Sequence, residues 1–341
     1  MTRPDSLRPD LIGAALKSAR AVGTPLWLYE AQSIRQRVAQ LAAFDCVRYA
    51  QKANSNTHIL RLLRSLGVMV DAVSLGEIER ALRAGYTPGT PANEIIFTAD
   101  IIDAATLARV IELAIPVNCG SPDMLRQVGT TAPGHSVWLR LNPGFGHGHN
   151  RKTNTGGPSS KHGIWHEELE ESLRLVDEFG LSLAGLHMHI GSGVDYEHLH
   201  RVCDSMLTAV RRANRPIAAI SAGGGLSVPY RAGEPEIDID HYHAAWDETR
   251  REAERITGAP VQLELEPGRY LVANAGLLVA EVRAVKTVAK NHFVLLDAGF
   301  NDLARPILYG SHHDIAFVTP SGAAVEGATR PVAVAGPLCE S

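Results

Sequence analysis

The sequence lacks what would send a chain out of the cell or into a membrane. Residues 1–10 are polar and proline-containing, without the apolar h-region of a secretory signal. No stretch approaches the roughly eighteen consecutive apolar residues of a membrane span. Cysteine is scarce: Cys46, Cys119, Cys203 and Cys339 lie far apart and form no CxxC. That usage suits a reducing cytoplasm and argues against structural zinc. An excess of positive charge is also missing, and a net charge of −4 gives no reason to expect nucleic acid as a partner. What is present is an ordinary globular composition, 45% apolar and 21% charged, in 341 residues. That length exceeds one usual core, so a large α/β barrel or two domains is the expectation.

From residue 47 the chain alternates. Strand-like runs recur at 47–50, 68–73, 94–98, 115–118, 136–141, 183–190, 217–221 and 261–265, with helical patterns such as 76–84, 104–113 and 196–213 between them. Eight β units separated by helices predict a (β/α)8 TIM barrel. After residue 272 the texture changes to apolar, β-branched runs at 276–286, 292–298 and 331–334, which predict an all-β C-terminal domain. The expected division is 1–28 as an N-terminal segment packing on the β domain, 29–272 as the barrel and 273–341 as the β domain. The segment 142–163 is too long for an ordinary βα connection and reads as an active-site loop.

Unusual residues gather at the predicted strand ends, where a barrel of this kind builds its active site. Lys52 follows the first strand; a lone lysine there can snorkel to solvent, or stand at a pocket rim as a partly desolvated nucleophile able to form a Schiff base. Asp71 and Ser74 close the second strand, and Arg140 and Asn142 the fifth. His189 and the Gly191-Ser192 turn end the sixth, Gly223-Gly224-Gly225 the seventh, and Glu266-Pro267-Gly268-Arg269 the eighth. The triple glycine is weak evidence alone, since glycines also make ordinary turns. Past strand seven of a barrel it sits where phosphate sites are built. Glu264 and Glu266 share one face of their strand and need partners. Either they pair with a strand-end arginine such as Arg140, or a carboxylate keeps a pyridinium nitrogen protonated. His187 and His189 likewise share a face and could ligate a metal, but the neighbouring triple glycine and EPGR are poor ligands, so no metal is expected. An amine, a phosphate cradle, a ring-nitrogen carboxylate and a flat side chain are the parts that pyridoxal phosphate requires.

The motifs YAQKAN, VDAVSLGEIERALRAGY, HMHIGSG, SAGGGLSVPY, LELEPGRYLVA, DAGFNDLARPILYG and VAGPLCES closely resemble diaminopimelate decarboxylase, one of the alanine-racemase-like, fold-type III pyridoxal phosphate enzymes. The resemblance runs from about residue 24 to the end. It implies decarboxylation of meso-2,6-diaminopimelate to L-lysine and CO2. It implies Lys52 as the Schiff-base lysine, His189 as the ring-stacking residue, and Asp71, Ser192, Gly223, Gly224, Gly225, Glu266, Pro267, Gly268 and Arg269 as cofactor contacts. Arg269, Arg305 and Tyr309 are implied to hold substrate carboxylates. Cys339 is implied as proton donor and Glu340 as a substrate contact, both reaching the opposite site of a head-to-tail homodimer. The chain departs from the family at its end. It stops at Cys339-Glu340-Ser341, inside a motif that the family continues with Gly-Asp and several tens of residues more, including a cofactor-contacting tyrosine. An incomplete β domain and weak or no turnover are therefore expected. Three rivals stand beside this reading: a decarboxylase for ornithine, lysine or arginine, a non-catalytic cofactor-binding barrel, and a metal-dependent hydrolase using His187 and His189.

Overall fold

The structure, a computed structural model, describes residues 8–146, 155–189, 196–231, 233–323, 325 and 330–339. In chain order, α1 (Pro9–Val22) and β1 (Leu26–Tyr29) precede α2 (Ala31–Ala39), β2 (Cys46–Ala50), α3 (Thr57–Ser65), β3 (Met69–Ala72) and α4 (Leu75–Ala84). Next come β4 (Ile95–Thr98), α5 (Ala104–Glu112), β5 (Val117–Cys119), α6 (Pro122–Thr131), β6 (Ser136–Asn142) and β7 (Ile164–Trp165). These lead to α7 (Leu169–Glu178), β8 (Ser182–Met188), α8 (Tyr196–Ala213), β9 (Ala219–Ser221), α9 (Ile239–Thr257), β10 (Gln262–Leu265) and α10 (Arg269–Val272). The remaining elements are β11 (Gly276–Val279), β12 (Val282–Val288), β13 (Asn291–Leu296), α11 (Arg305–Tyr309) and β14 (Ala333–Ala335). They belong to two compact units, one of residues 31–228 and 236–274, the other of 1–30, 229–235 and 275–341.

In the first unit the strands β2, β3, β4, β5, β6, β8, β9 and β10 pair in that order, and β10 pairs back with β2. Every pairing is parallel, so the sheet closes as a (β/α)8 barrel. Strands covered on both faces explain the nearly unbroken apolar runs: β4, β5 and β9 are buried along their whole length. The helices bury one stripe each, such as Ile59, Leu60 and Leu63 of α3. Helix starts are set by short polar side chains. Asn56, Ser74, Asp103, Ser121 and Asp238 accept from amides at the first turns of α3, α4, α5, α6 and α9. Each cap turns the chain from a strand end into its covering helix, which leaves the strand ends to carry chemistry.

In the second unit β1 pairs antiparallel with β11, while β12 pairs antiparallel with β13 and β13 parallel with β14. The apolar run 276–286 thus divides between two sheets. The break falls at Glu281, whose amide donates to Asp297 Oδ1 at 2.8 Å and whose carbonyl accepts from the Asp297 amide. Every residue of β12 is exposed.

Candidate active site

β2 ends in a short 3-10 turn, Gln51–Ala53, that carries Lys52. Lys52 lies beyond the last ladder pair, Ala50 with Asp71, and its side chain is exposed rather than partly desolvated. Its charge is nevertheless felt at Asp71, Glu77 and His189, so the amine faces the mouth of the barrel. Asp71, on the adjacent strand, is 1% exposed with Oδ1 lacking any partner among the described residues. Burial first, and then the charge of Glu266, push its carboxyl up to about 8, against the opposing pull of Lys52 and a hydrogen bond from Thr98.

The end of β10 packs directly on this turn. The Ala50 amide donates to the Pro267 carbonyl at 3.1 Å, and a Cβ on Gly268 would stand 3.2 Å from the Ala50 oxygen. A side chain there would need the neighbouring segment to give by a few tenths of an ångström. The triple glycine is constrained more severely. A Cβ on Gly223 would lie 2.5 Å from the Met188 oxygen, and one on Gly224 would lie 2.4 Å from the Glu266 oxygen. Gly223 and Gly225 both have positive φ, +63° and +99°. Two of the turn's amides are used within the protein, Gly223 N–H toward Ser221 Oγ at 3.1 Å and Gly224 N–H toward His189 Nδ1 at 3.2 Å. His189 is thereby oriented. Burial, then Arg140 and Lys52, hold its imidazole well below the usual range, so the ring is uncharged and flat.

Both strand-face glutamates find partners, though not Arg140. Glu264 receives Arg48 Nε at 2.6 Å and Nη2 at 3.1 Å, a buried two-pronged pair across β10 and β2. Arg140 lies on β6, three strands from β10, and approaches Asp100 at 3.9 Å instead. Asp100 also binds His162 and accepts from the Gly163 amide, tying the far end of the long loop to the mouth. Asn142 clamps the same loop: its Oδ1 accepts from the Gly144 and Gly157 amides, and its Nδ2 donates to the Gly157 carbonyl. Glu266 accepts from Ser221 Oγ at 3.1 Å and lies 2.8 Å from His187 Nε2. Burial disfavours its charge, but His187 first of all, together with the hydrogen bond from Ser221, outweighs that and holds the carboxyl well below its ordinary range. Among the described residues no three His, Cys, Asp or Glu side chains gather as a metal site, and His187 is engaged with Glu266.

Lys52, Asp71, His189, Gly223, Gly224, Gly225, Glu266, Pro267, Gly268 and Arg269 therefore stand on strand ends of one barrel mouth. Arg305 and Tyr309 lie on α11 in the second unit, with the Arg305 guanidinium 5.1 Å from the Tyr309 ring centroid, 5.6 Å from that of Tyr230, and bonded to Ser311. Cys339 is an exposed free thiol of that unit. Ser192 and Glu340, and the histidines 147 and 149, fall outside the described residues. Reading the sequence left Arg48, Ser221, Thr98 and Asp100 without roles. The signal for Arg48 was present in the strand alternation, which sets it inside the barrel as it does Glu264.

A closed parallel barrel with a strand-end lysine, an ionised buried carboxylate, an uncharged histidine and a turn only glycine can form fits pyridoxal phosphate, and this is the class of barrel that the fold and site define. The family model described as "Pyridoxal-dependent decarboxylase, pyridoxal binding domain" matches residues 31–273. Diaminopimelate decarboxylase of Streptomyces coelicolor is 62% identical over 98% of this chain and 77% of that protein. A crystal structure of diaminopimelate decarboxylase superposes with a TM-score of 0.94 at 55% identity, covering 100% of this chain and 80% of the other. The Helicobacter pylori enzyme complexed with L-lysine gives 0.83 at 29% identity, over 95% and 82%. The chain belongs to the diaminopimelate decarboxylase family of pyridoxal-dependent decarboxylases.

Proposed function

We propose that this chain removes one carboxylate of meso-2,6-diaminopimelate as CO2 and yields L-lysine. The observation that carries the reading is Glu266: a buried carboxylate kept ionised at the same barrel mouth that presents Lys52. Bound pyridoxal phosphate supplies an electron sink for the pair left by the departing carboxylate. The chain's own residues do the rest. Lys52 holds the cofactor through its amine, and Ser192 and the 223–225 turn receive its phosphate. His189, flat and uncharged, covers one face, and Glu266 keeps a proton on the ring nitrogen. Arg269, Arg305 and Tyr309 bind the carboxylates of the substrate, as a guanidinium fork suits. Cys339 delivers the proton that replaces CO2, and Glu340 contacts the substrate. Both act at the opposite site of a head-to-tail homodimer in the cytoplasm, a compartment that suits the three buried free thiols.

Arg305 supports diaminopimelate over ornithine or lysine. A substrate without the distal carboxylate leaves its guanidinium unmatched, a penalty of a few kcal/mol, about two orders of magnitude in rate. That the H. pylori relative binds L-lysine agrees with lysine as product. The test is kcat/KM for diaminopimelate against ornithine. A strong preference for the former is expected, and comparable values sink the substrate assignment while leaving the cofactor chemistry intact.

A further inference from the structure

His187, Ser221 and Glu264 stand in register on β8, β9 and β10, one step below the mouth. Glu266 is the next inward-facing residue beyond Glu264, and its two oxygens are divided between the neighbouring strands. Oε2 meets His187 Nε2 at 2.8 Å, and Oε1 accepts from Ser221 Oγ at 3.1 Å. The Ser221 oxygen in turn accepts from the Gly223 amide, so the glycine turn and the carboxylate share one hydrogen-bond chain. His187 is 1% exposed, and its other nitrogen, Nδ1, has no partner among the described residues. The hydrogen-bonding proton of that ring therefore lies on Nε2, aimed at the carboxylate. No other role engages this side chain.

We propose that His187 is the positioning residue of the ring-nitrogen carboxylate: it fixes the plane of Glu266 and keeps it ionised, with Ser221 and the Gly223 amide as the second arm of the clamp. This rests on the reading of Glu266 as the partner of the cofactor's ring nitrogen. A carboxylate with one lone pair of each oxygen committed cannot rotate, and its remaining lone pairs stay directed at one place. Other groups coupled electrostatically to Glu266 are Asp71 on β3, Cys46 and Arg48 on β2, and His189. None of them donates to it, so they set the field while His187 and Ser221 set the geometry. His187 touches neither substrate nor cofactor in this scheme; it acts through Glu266.

The test reconstitutes the protein and its variants with pyridoxal phosphate isotopically labelled at the ring nitrogen, and reads that nitrogen's protonation by NMR across pH. In His187→Leu the midpoint of ring deprotonation is expected to fall by about one to two pH units, and kcat by about 10–100-fold with KM little changed. His187→Gln, whose amide can reach the position of Nε2, restores the wild-type midpoint; His187→Asn, whose amide sits too far back, behaves like the Leu variant. Ser221→Ala shifts the midpoint in the same direction by less. A His187→Leu protein that melts lower yet keeps the wild-type midpoint makes the residue merely structural and overturns the proposal. Should the Leu variant not fold, the Gln and Asn variants decide, and equal midpoints for the two overturn it. Glu266→Gln separates the premises. If that variant leaves ring protonation unchanged, the reading of Glu266 itself fails. If it moves the midpoint and His187→Leu does not, only the clamp fails.

Discussion

β10 and β12 are both short strands that mix charged or polar residues with apolar ones, yet the two units treat them oppositely. In β10 the charged side chain points into the barrel, and Glu264 is 3% exposed against Arg48 at 7%. In β12 every position is exposed, and Val282, Val285 and Val288 keep 42%, 70% and 50% of their surface. The Arg283–Glu281 pair beside it has 63% and 58% exposed side chains. Closure makes the difference. A barrel strand has a neighbour on each edge and helices outside, so a charge within it must be matched; among the described residues β12 has one neighbour, β13. The barrel therefore holds the most strongly perturbed carboxyls, Asp71 and Glu266, and β12 offers its residues at the surface.

The largest effect that sharpens this contrast is expected at the mouth. Lys52→Ala is expected to abolish covalent attachment of the cofactor: borohydride reduction with peptide mapping should label Lys52 in the unmodified protein and no lysine in the variant. A label on another lysine refutes the assignment. Next comes the buried pair. Arg48→Met strands Glu264 without its counter-ion and costs about 3–5 kcal/mol of stability by denaturant unfolding. A loss below about 1 kcal/mol breaks the claim that the barrel interior magnifies charge, since that is the range of surface pairs.

Asp71 gives a pH signature between these and the surface. Its carboxyl sits at about 8 in the folded protein against 3.8 when unperturbed. An acid with a raised folded value favours folding below its unfolded value, and its contribution is lost progressively as pH climbs from 3.8 toward about 8. Asp71→Asn should flatten that decline in the cofactor-free protein, gaining on the order of 1–3 kcal/mol at the alkaline end and little at the acid end. Melting curves across pH decide it, and parallel declines in the two proteins count against the buried carboxyl. The smallest effects belong to the sheet unit, where Val285→Ala and Arg283→Ala each change stability by no more than about 0.5 kcal/mol. A loss of several kcal/mol at Val285 instead reveals that β12 is covered in the assembled protein.

The alternation of apolar runs and helical stripes sufficed to count eight barrel strands, because the strands are short and mostly buried, and β2, β3, β4, β5 and β9 each lead to a helix with a side-chain cap. Lys52, the triple glycine and the EPGR stretch were visible for the same reason: they break an apolar rhythm at its end. The partners were not visible. Strand alternation sets Glu264 and Glu266 on the inward face, but which arginine or histidine meets them depends on the order of strands around the barrel. Arg140 was the arginine expected there, and Arg48 takes the place because β2 closes against β10. For Lys52 the sequence left solvent exposure and partial desolvation both open, since a residue two places past a strand can turn either way.

The sequence by itself determined the barrel, the residues at its strand ends and the family, since these follow from local periodicity and from short contiguous motifs. Tertiary structure alone decided that Arg48 neutralises Glu264, that His187 and Ser221 grip Glu266, and that the run 276–286 splits between two sheets. Those are contacts between residues far apart in the chain. Charge pairing and hydrogen bonding act over a few ångströms, so only the closed fold, which sets strand beside strand, selects them.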